Sequence, residues 1–373
     1  MAVEYQSGRA GRRSVRAPLL GAVAAVLVFL GVVMVLSAAS VQDLRIHGDA
    51  LHHVSRQVVW IFLGTLGLVA MLRTDYRRLR GAALPMLVVT LALLVLVFVP
   101  GIGIEANGSS RWLGVGVVTF QPSELAKLTV ILYVSVLLSS PHRDVDDLRS
   151  TQLPLMAVLG LLGGLVYLEP DMGTAAVLVA IGASILFFAG LRMLVVVGGG
   201  ALAVGVLLGL SMTAGYRRQR LLTLFDPWSD PLHTGWQAIQ AGVAMSNGGL
   251  WGMGLGASRA KWGFLPYAQT DFIFAIVAEE LGFVVAFIVV LFFFGIGVLG
   301  LRTSLRAPDR FGQLLAAGIT TWIVLQAYVN IGAVLGLLPI TGIPLPFLSY
   351  GGSSMVLTLT AYGVLLNIAR QTP

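Results

Sequence analysis

Ten apolar runs, each near the length that crosses a lipid bilayer, constrain this chain more than any other feature. They cover residues 18–40, 57–72, 82–101, 122–140, 153–168, 173–190, 193–213, 272–300, 312–337 and 350–369. A hydrocarbon core about 30 Å thick takes about 20 helical residues, and lipid offers backbone polar groups no partner outside the helix. The expected fold class is an all-α polytopic integral membrane protein of about ten transmembrane helices. A long outer loop, 214–271, separates the seventh span from the eighth. Composition agrees, with 57% hydrophobic and only 11% charged residues, where a soluble domain carries about 25% charged. The expected organisation is a basic cytoplasmic segment, 1–17, one ten-helix membrane domain, 18–369, and a cytoplasmic tail, 370–373.

Charge gives the runs a direction. With the N-terminus inside, Arg9, Arg12, Arg13 and Arg16 precede the first span; Arg73, Arg77, Arg78 and Arg80 follow the second; Arg302, Arg306 and Arg310 follow the eighth. The outer side then holds Arg45, Arg56, Arg111, Lys127, Arg217, Arg218, Arg220, Arg259 and Lys261. Five of these lie in 214–271, near the length at which loop charge stops directing insertion. Ten spans with both termini inside satisfy the rule. The first run follows four arginines and is long enough to remain as a span, so a cleaved signal peptide is not expected. The net charge of +7 follows topology and comes with no basic block interleaved with aromatics, so no nucleic-acid partner is expected. The chain has no cysteine and only five scattered histidines, which excludes disulfides and thiolate metal sites.

The inner loops are short and basic. The outer loops 102–124, 169–174, 214–271 and 338–354 are rich in Gly, Pro, Asn and Ser and carry specific chemistry. A pure anchor needs no such loops, so an outward-facing site built from four of them is expected. Their strings NGSSRWLG, FQPSELAKL, EPDMGTA, GLGASRAKWGFLP, QTDFIFAIVAEELG and GLLPITGIPLPFLSYGGSS keep a fixed order along the chain. Together these resemble the SEDS family (shape, elongation, division and sporulation) of peptidoglycan glycosyltransferases, over about residues 17 to 369. The GLGASRAKWGFLP segment is most similar to division-type members. The resemblance implies polymerisation of lipid II into a nascent glycan strand at the outer face of a bacterial cytoplasmic membrane. It also implies a class B penicillin-binding transpeptidase and other divisome membrane proteins as partners. A divalent cation, Mg or Mn, is implied by the pyrophosphate leaving group, with no ligand motif to hold it. One departure stands out. Family members often read LPEAHTDF, and here Leu265-Pro266-Tyr267-Ala268-Gln269-Thr270-Asp271-Phe272 lacks the Glu and His but keeps the Asp.

The residues themselves leave alternatives. Asp271 follows Thr270 at the start of the eighth span. It is either a carboxylate favoured by the helix dipole or a general base, and the resemblance favours the base. Glu279 and Glu280 lie about 12 Å deeper on the same helix. At about 100° per residue, Glu279 is offset from Asp271 by about 80° and suits the same cavity, whereas Glu280 points away and needs another partner. Arg111, Lys261, Arg217 and Arg218 are cations suited to pyrophosphate oxygens, while Arg220 and Arg259 read as solvated loop charges. Glu124 and Lys127 form a pair on one helix face that either stands alone or borders the cavity. Trp112 packs against a sugar or isoprenoid, or anchors at the interface. Asn107, Gln121, Gln237, Gln240 and Asn247 suit sugar hydroxyls or N-acetyl groups. Ser349 lies in SYGGSS, where substrate contact and backbone packing both fit. The glycines of 247–256 read as a re-entrant or tightly folded loop. Competing functions are a lipid II flippase, an elongation-type polymerase and a non-catalytic divisome scaffold. Plain inner loops and the absence of an internal repeat favour an enzyme over a transporter.

Overall fold

The computed structural model describes residues 15–106, 109–115, 118–141, 143–213 and 215–372. Asn107 and the side chain of Arg217 lie outside the described residues. The chain runs through α1 (Arg16–His47), α2 (His52–Arg73) and α3 (Ala83–Leu96), then β1 (Gly103–Ala106), β2 (Ser109–Val115) and β3 (Val118–Phe120). It continues through α4 (Pro122–Leu138), α5 (Leu153–Leu168), α6 (Met172–Phe188), α7 (Met193–Thr213), α8 (Gly215–Phe225) and α9 (Trp236–Gly248). The last helices are α10 (Ile273–Leu305), α11 (Arg310–Val334) and α12 (Gly352–Gln371).

Each expected span falls on one of α1–α7 or α10–α12, and eight of the spans have the length and hydropathy to cross a membrane. The other two, α4 and α6, are 17-residue helices. The α1 helix runs past the apolar run to His47 because buried Asp43 finds a partner there. The backbone N–H of His53 donates to Asp43 Oδ2 at 3.0 Å, and the His53 ring bonds the other oxygen. Gly48, at φ 70°, then turns the chain into α2. Proline at the first turn starts α4, where its missing N–H costs nothing. Asp171 caps α6 by accepting from Thr174 N at 3.0 Å, and Asp309 caps α11 by accepting from Gly312 N at 2.8 Å.

The α11 and α12 helices lie at the centre of the bundle and are mostly buried, whereas α7 lies at its edge with no fully buried residue in its apolar window. The α2 and α12 helices approach closely through small residues. A Cβ on Gly363 would fall 2.5 Å from Leu68 O, the kind of contact that holds helices together in lipid. The start of α1 and the end of α12 meet at one end, where Arg16 donates to Thr372 Oγ1 at 3.3 Å. Asp271 precedes α10 at the opposite end.

Two expectations need correction. The outer loop 102–124 is not loop throughout: β1, β2 and β3 form an antiparallel sheet, with Ile104 opposite Trp112 and Leu113 opposite Phe120. The strand-favouring Trp112, Thr119 and Phe120 account for it. The segment 214–271 is likewise largely structured, with α8 and α9 followed by a glycine-rich loop that inserts into α10. The α10 helix breaks at Gly282 (φ 80°, ψ 176°). Met253 N and Gly254 N donate to the carbonyls of Glu279 and Glu280 at 2.9 and 3.0 Å. Below the break, Phe283 N and Val284 N donate to the carbonyls of Gly249 and Leu250 at 2.9 and 3.3 Å. The loop thus replaces the hydrogen bonds that the break removes, which lipid could not do. A Cβ on Gly252 would fall 2.2 Å from Glu280 O. The expected re-entrant character of 247–256 is therefore observed, with Gly252 required for the close approach.

Candidate functional site

A cavity of about 1240 Å³ opens at the Asp271 end of the bundle. Its walls come from β2 (Arg111, Trp112), the turn before α6 (Pro170), α8 (Arg220, Thr223), α9 (Trp236, Gln237), the start of α10 and the segment 338–354. Asp271 is half-buried at its base. Its backbone is fixed from several directions. Asn330, on α11, donates to Asp271 O and to Ile343 O, each at 2.8 Å. Ser349 Oγ donates to Thr270 O at 2.6 Å and accepts from Leu345 N at 2.8 Å. Tyr350 N donates to Gln269 O at 2.9 Å. Tyr267 adopts φ 58° in the tight turn that leads to Asp271, a conformation uncommon for a bulky residue.

The Asp271 side chain itself is left free. The residue at the head of α10 is Phe272, with no side-chain cap. Asp271 Oδ1 and Oδ2 have no hydrogen-bond partner among the described residues, and Gly342 leaves its Cα hydrogens close to Oδ2. The side chain of Asp271 therefore does not cap α10. Burial is the main cause that pushes its pKa up from 3.8 to about 6. Arg220 opposes that rise most, Asp171 adds to it, and Arg111 opposes it less. Arg111 is held by two charge-assisted bonds, from Nε to Glu169 O at 2.8 Å and from Nη2 to Pro170 O at 2.7 Å. Arg220 Nη1 donates to Ile340 O at 3.3 Å. Arg111 faces the cavity on two backbone supports, and Arg220 lines the cavity with one of its bonds on a backbone carbonyl. A free carboxylate opposite two guanidiniums can accept a proton from a hydroxyl and stabilise a departing anion.

Asp271, Arg111, Trp112, Gln121 and Gln237 meet in this cavity as the sequence predicted. Several other predicted residues do not. Lys261 is buried away from it, donating to Gly256 O at 2.6 Å, Ser37 Oγ at 3.2 Å and Glu280 Oε1 at 3.4 Å. Glu279 does not line the cavity: it accepts from Ser258 Oγ, Arg259 N and Ala260 N. Glu280 accepts from Ser37 Oγ at 2.6 Å and Ser258 N at 3.2 Å. These acids and Lys261 bind the inserted loop to α10 and α1. Glu124 and Lys127 form a buried pair at 2.7 Å. Lys127 also bonds Gln326 at 2.7 Å and lies 5.0 Å from the Trp322 ring centre. Ser349 positions the backbone and is itself buried. Gln240 and Arg218 lie outside the cavity lining.

Three functional positions were missed by sequence reasoning. Arg220, read as a solvated charge, lines the cavity. Asp171 accepts from Gln121 Nε2 at 3.3 Å beside the site. Glu169 is fully buried, and neither carboxylate oxygen is hydrogen-bonded among the described residues. Burial, and then Asp171, push its pKa up from 4.5 to about 9 against the pull of Arg111. The acidic EPD string was the available signal for the last two. No cluster of three or more His, Asp or Glu suited to a metal occurs among the described residues. Asp271 is the carboxylate that faces the cavity, and a cation on it would occupy the atoms that accept a proton. The described residues therefore do not form a metal cage.

Fold and site together define a polytopic membrane protein with a polar, cation-lined cavity at one end. The cell cycle protein family that groups FtsW, RodA and SpoVE matches residues 17–373, and this chain belongs to that family. It is 42% identical over 351 residues to the probable peptidoglycan glycosyltransferase FtsW of Geobacter metallireducens, covering 94% of this chain and 93% of that protein. It is 40% identical to the stage V sporulation protein E of Bacillus subtilis, covering 94% and 96%. Among solved structures it resembles a chain of a peptidoglycan synthase complex that coordinates polymerization and crosslinking. That match has a TM-score of 0.76 and 30% identity, covering 94% of this chain and 97% of that one. The rod shape determining protein RodA of Thermus thermophilus matches with a TM-score of 0.70 and 28% identity, covering 95% and 96%.

Proposed function

We propose that this chain is a division-type peptidoglycan glycosyltransferase that polymerises lipid II, with Asp271 as the general base. The observation that carries the reading is the unbonded Asp271 carboxylate facing Arg111 and Arg220 across one cavity. Relatives named FtsW at 39–42% identity, beside a sporulation protein at 40%, support the division type. The acceptor sugar's 4-hydroxyl attacks the anomeric carbon of the lipid-pyrophosphate donor. The new C–O bond forms as the bond to pyrophosphate breaks, and the anomeric configuration inverts. The hydroxyl proton passes to Asp271, and the electron pair leaves on pyrophosphate, whose charge Arg111 and Arg220 offset. The cavity end faces the outer side and both termini face the cytoplasm, as the arginine distribution supports. A class B penicillin-binding transpeptidase is the partner, supported by the synthase complex that this fold resembles.

The test is polymerisation of purified lipid II by wild type and Asp271→Asn, each with its cognate transpeptidase. Glycan strands from wild type and none from the Asn variant are expected. Full activity in the variant removes the base from the mechanism. Translocation of lipid II across vesicles by a wild type that polymerises nothing establishes the flippase instead.

A further inference from the structure

A second cavity, of about 1070 Å³, lies at the terminus end between α1, α2 and α12, far from Asp271. Its volume sits at the upper end of the range of about 300–1,000 Å³ typical of ligand pockets. Its walls are almost wholly apolar. On α1 it spans Ala17 to Val32, about 22 Å at the helical rise, which covers the depth of one leaflet of a 30 Å core. Gly21 lies in this wall, and a Cβ built there meets nothing within 4 Å, so the helices leave this space open rather than packing it.

One end of the groove is charged. Arg370 lines it. Arg16, beside the lining residue Ala17 at the tip of α1, donates to Thr372 Oγ1 at 3.3 Å, two residues from Arg370. Arg370 has no side-chain hydrogen bond or ion pair among the described residues. Two guanidiniums at the mouth of an apolar slot, with no carboxylate paired to them among the described residues, complement a molecule that has one apolar tail and one anionic head. Basic pockets between helices at the membrane surface take anionic headgroups.

We propose that this groove binds an anionic glycerophospholipid of the leaflet at the terminus end. One acyl chain lies along α1 past Gly21, and the phosphate lies between Arg370 and Arg16. The site is separate from the polymerase cavity and does not depend on the activity assigned to it. A bound lipid there cements α1 to the α2–α12 pair.

The test is native mass spectrometry of the full chain in mild detergent, titrated with dioleoyl phosphatidylglycerol or dioleoyl phosphatidylcholine. Wild type is expected to retain one phosphatidylglycerol in preference to phosphatidylcholine. Arg370→Gln, an exposed change that leaves the fold intact, is expected to weaken that preference about fivefold. Gly21→Leu is expected to abolish retention of both lipids while keeping the wild-type melting profile in detergent. Equal retention of the two lipids overturns the proposal. So does undiminished phosphatidylglycerol binding in a folded Gly21→Leu variant, or preferential capture of a neutral polyprenol or a hydrophobic helical peptide.

Discussion

The charges around Asp271 give its titration a sign that can be tested one neighbour at a time. With a pKa of about 6, a general base at this position is about 90% ionised at pH 7 and about 10% ionised at pH 5. The polymerisation rate at subsaturating lipid II should therefore fall about tenfold between those values, with half of the loss in ionised base reached near pH 6. The neighbours then move this acid limb in different directions. Arg220→Gln removes the largest opposing charge and should shift the limb to higher pH, by up to about 1 unit. Arg111→Gln should shift it the same way by less. Asp171→Asn keeps an acceptor to cap α6 but removes a like charge, so the limb should move to lower pH.

Stability must run the other way. Because the folded pKa is raised, protonated Asp271 favours the folded state. Its contribution is fully present below pH 3.8 and is lost as pH rises through about 6. Rate and stability at this residue should thus change in opposite senses over the same window. The assay is glycan-strand synthesis from purified lipid II across pH 4.5–8, with the partner transpeptidase held constant. An acid limb that ignores all three substitutions, or that moves down in Arg220→Gln, assigns the titration to another group and refutes the reasoning.

Three further expectations follow from the buried charges and the inserted loop. Lys261→Met leaves buried Glu280 without its cation partner and should destabilise the protein by about 3–5 kcal/mol. Lys261→Met/Glu280→Gln should recover most of that in chemical denaturation in detergent. Gly252→Ala places a Cβ 2.2 Å from Glu280 O at φ 82°, whereas Gly254, at φ 102°, has open space. The yield of folded protein by size exclusion should therefore fall far more for Gly252→Ala than for Gly254→Ala. Glu169, with its pKa raised to about 9, stabilises the fold as a neutral acid below its ordinary value of 4.5 and loses that contribution as pH rises through 9. Glu169→Gln should accordingly melt at a higher temperature than wild type at pH 9.5, and equal melting there would place an unseen partner on the carboxylate.

How far the sequence could be read depended on whether a property was periodic or assembled. The ten helices were legible because an apolar run near 20 residues has one common solution in lipid, and Asp271 was legible because TDFIFA marks its place. Lys261 and Glu279 were misread for one shared reason. Sequence spacing put Lys261 ten residues before Asp271, and the helical angle put Glu279 near the same face. Both estimates assume a continuous helix preceded by an open loop. The break at Gly282 admits the loop 249–261 beside α10, and that loop offers Glu279 and Glu280 the N–H groups, hydroxyl and ammonium that a buried carboxylate requires. A cation so engaged cannot also meet pyrophosphate at the level of Asp271, about 13 Å away along the helix. Arg220 was missed by the converse error. In an open loop it would have been a solvated charge, but α8 carries it over the cavity mouth, where its bond to Ile340 O ties it to the segment that also supplies Gly342 beside the carboxylate. The inserted loop thus draws Lys261 out of the site, while α8 brings Arg220 into it, leaving Arg111 and Arg220 as the cations that Asp271 faces.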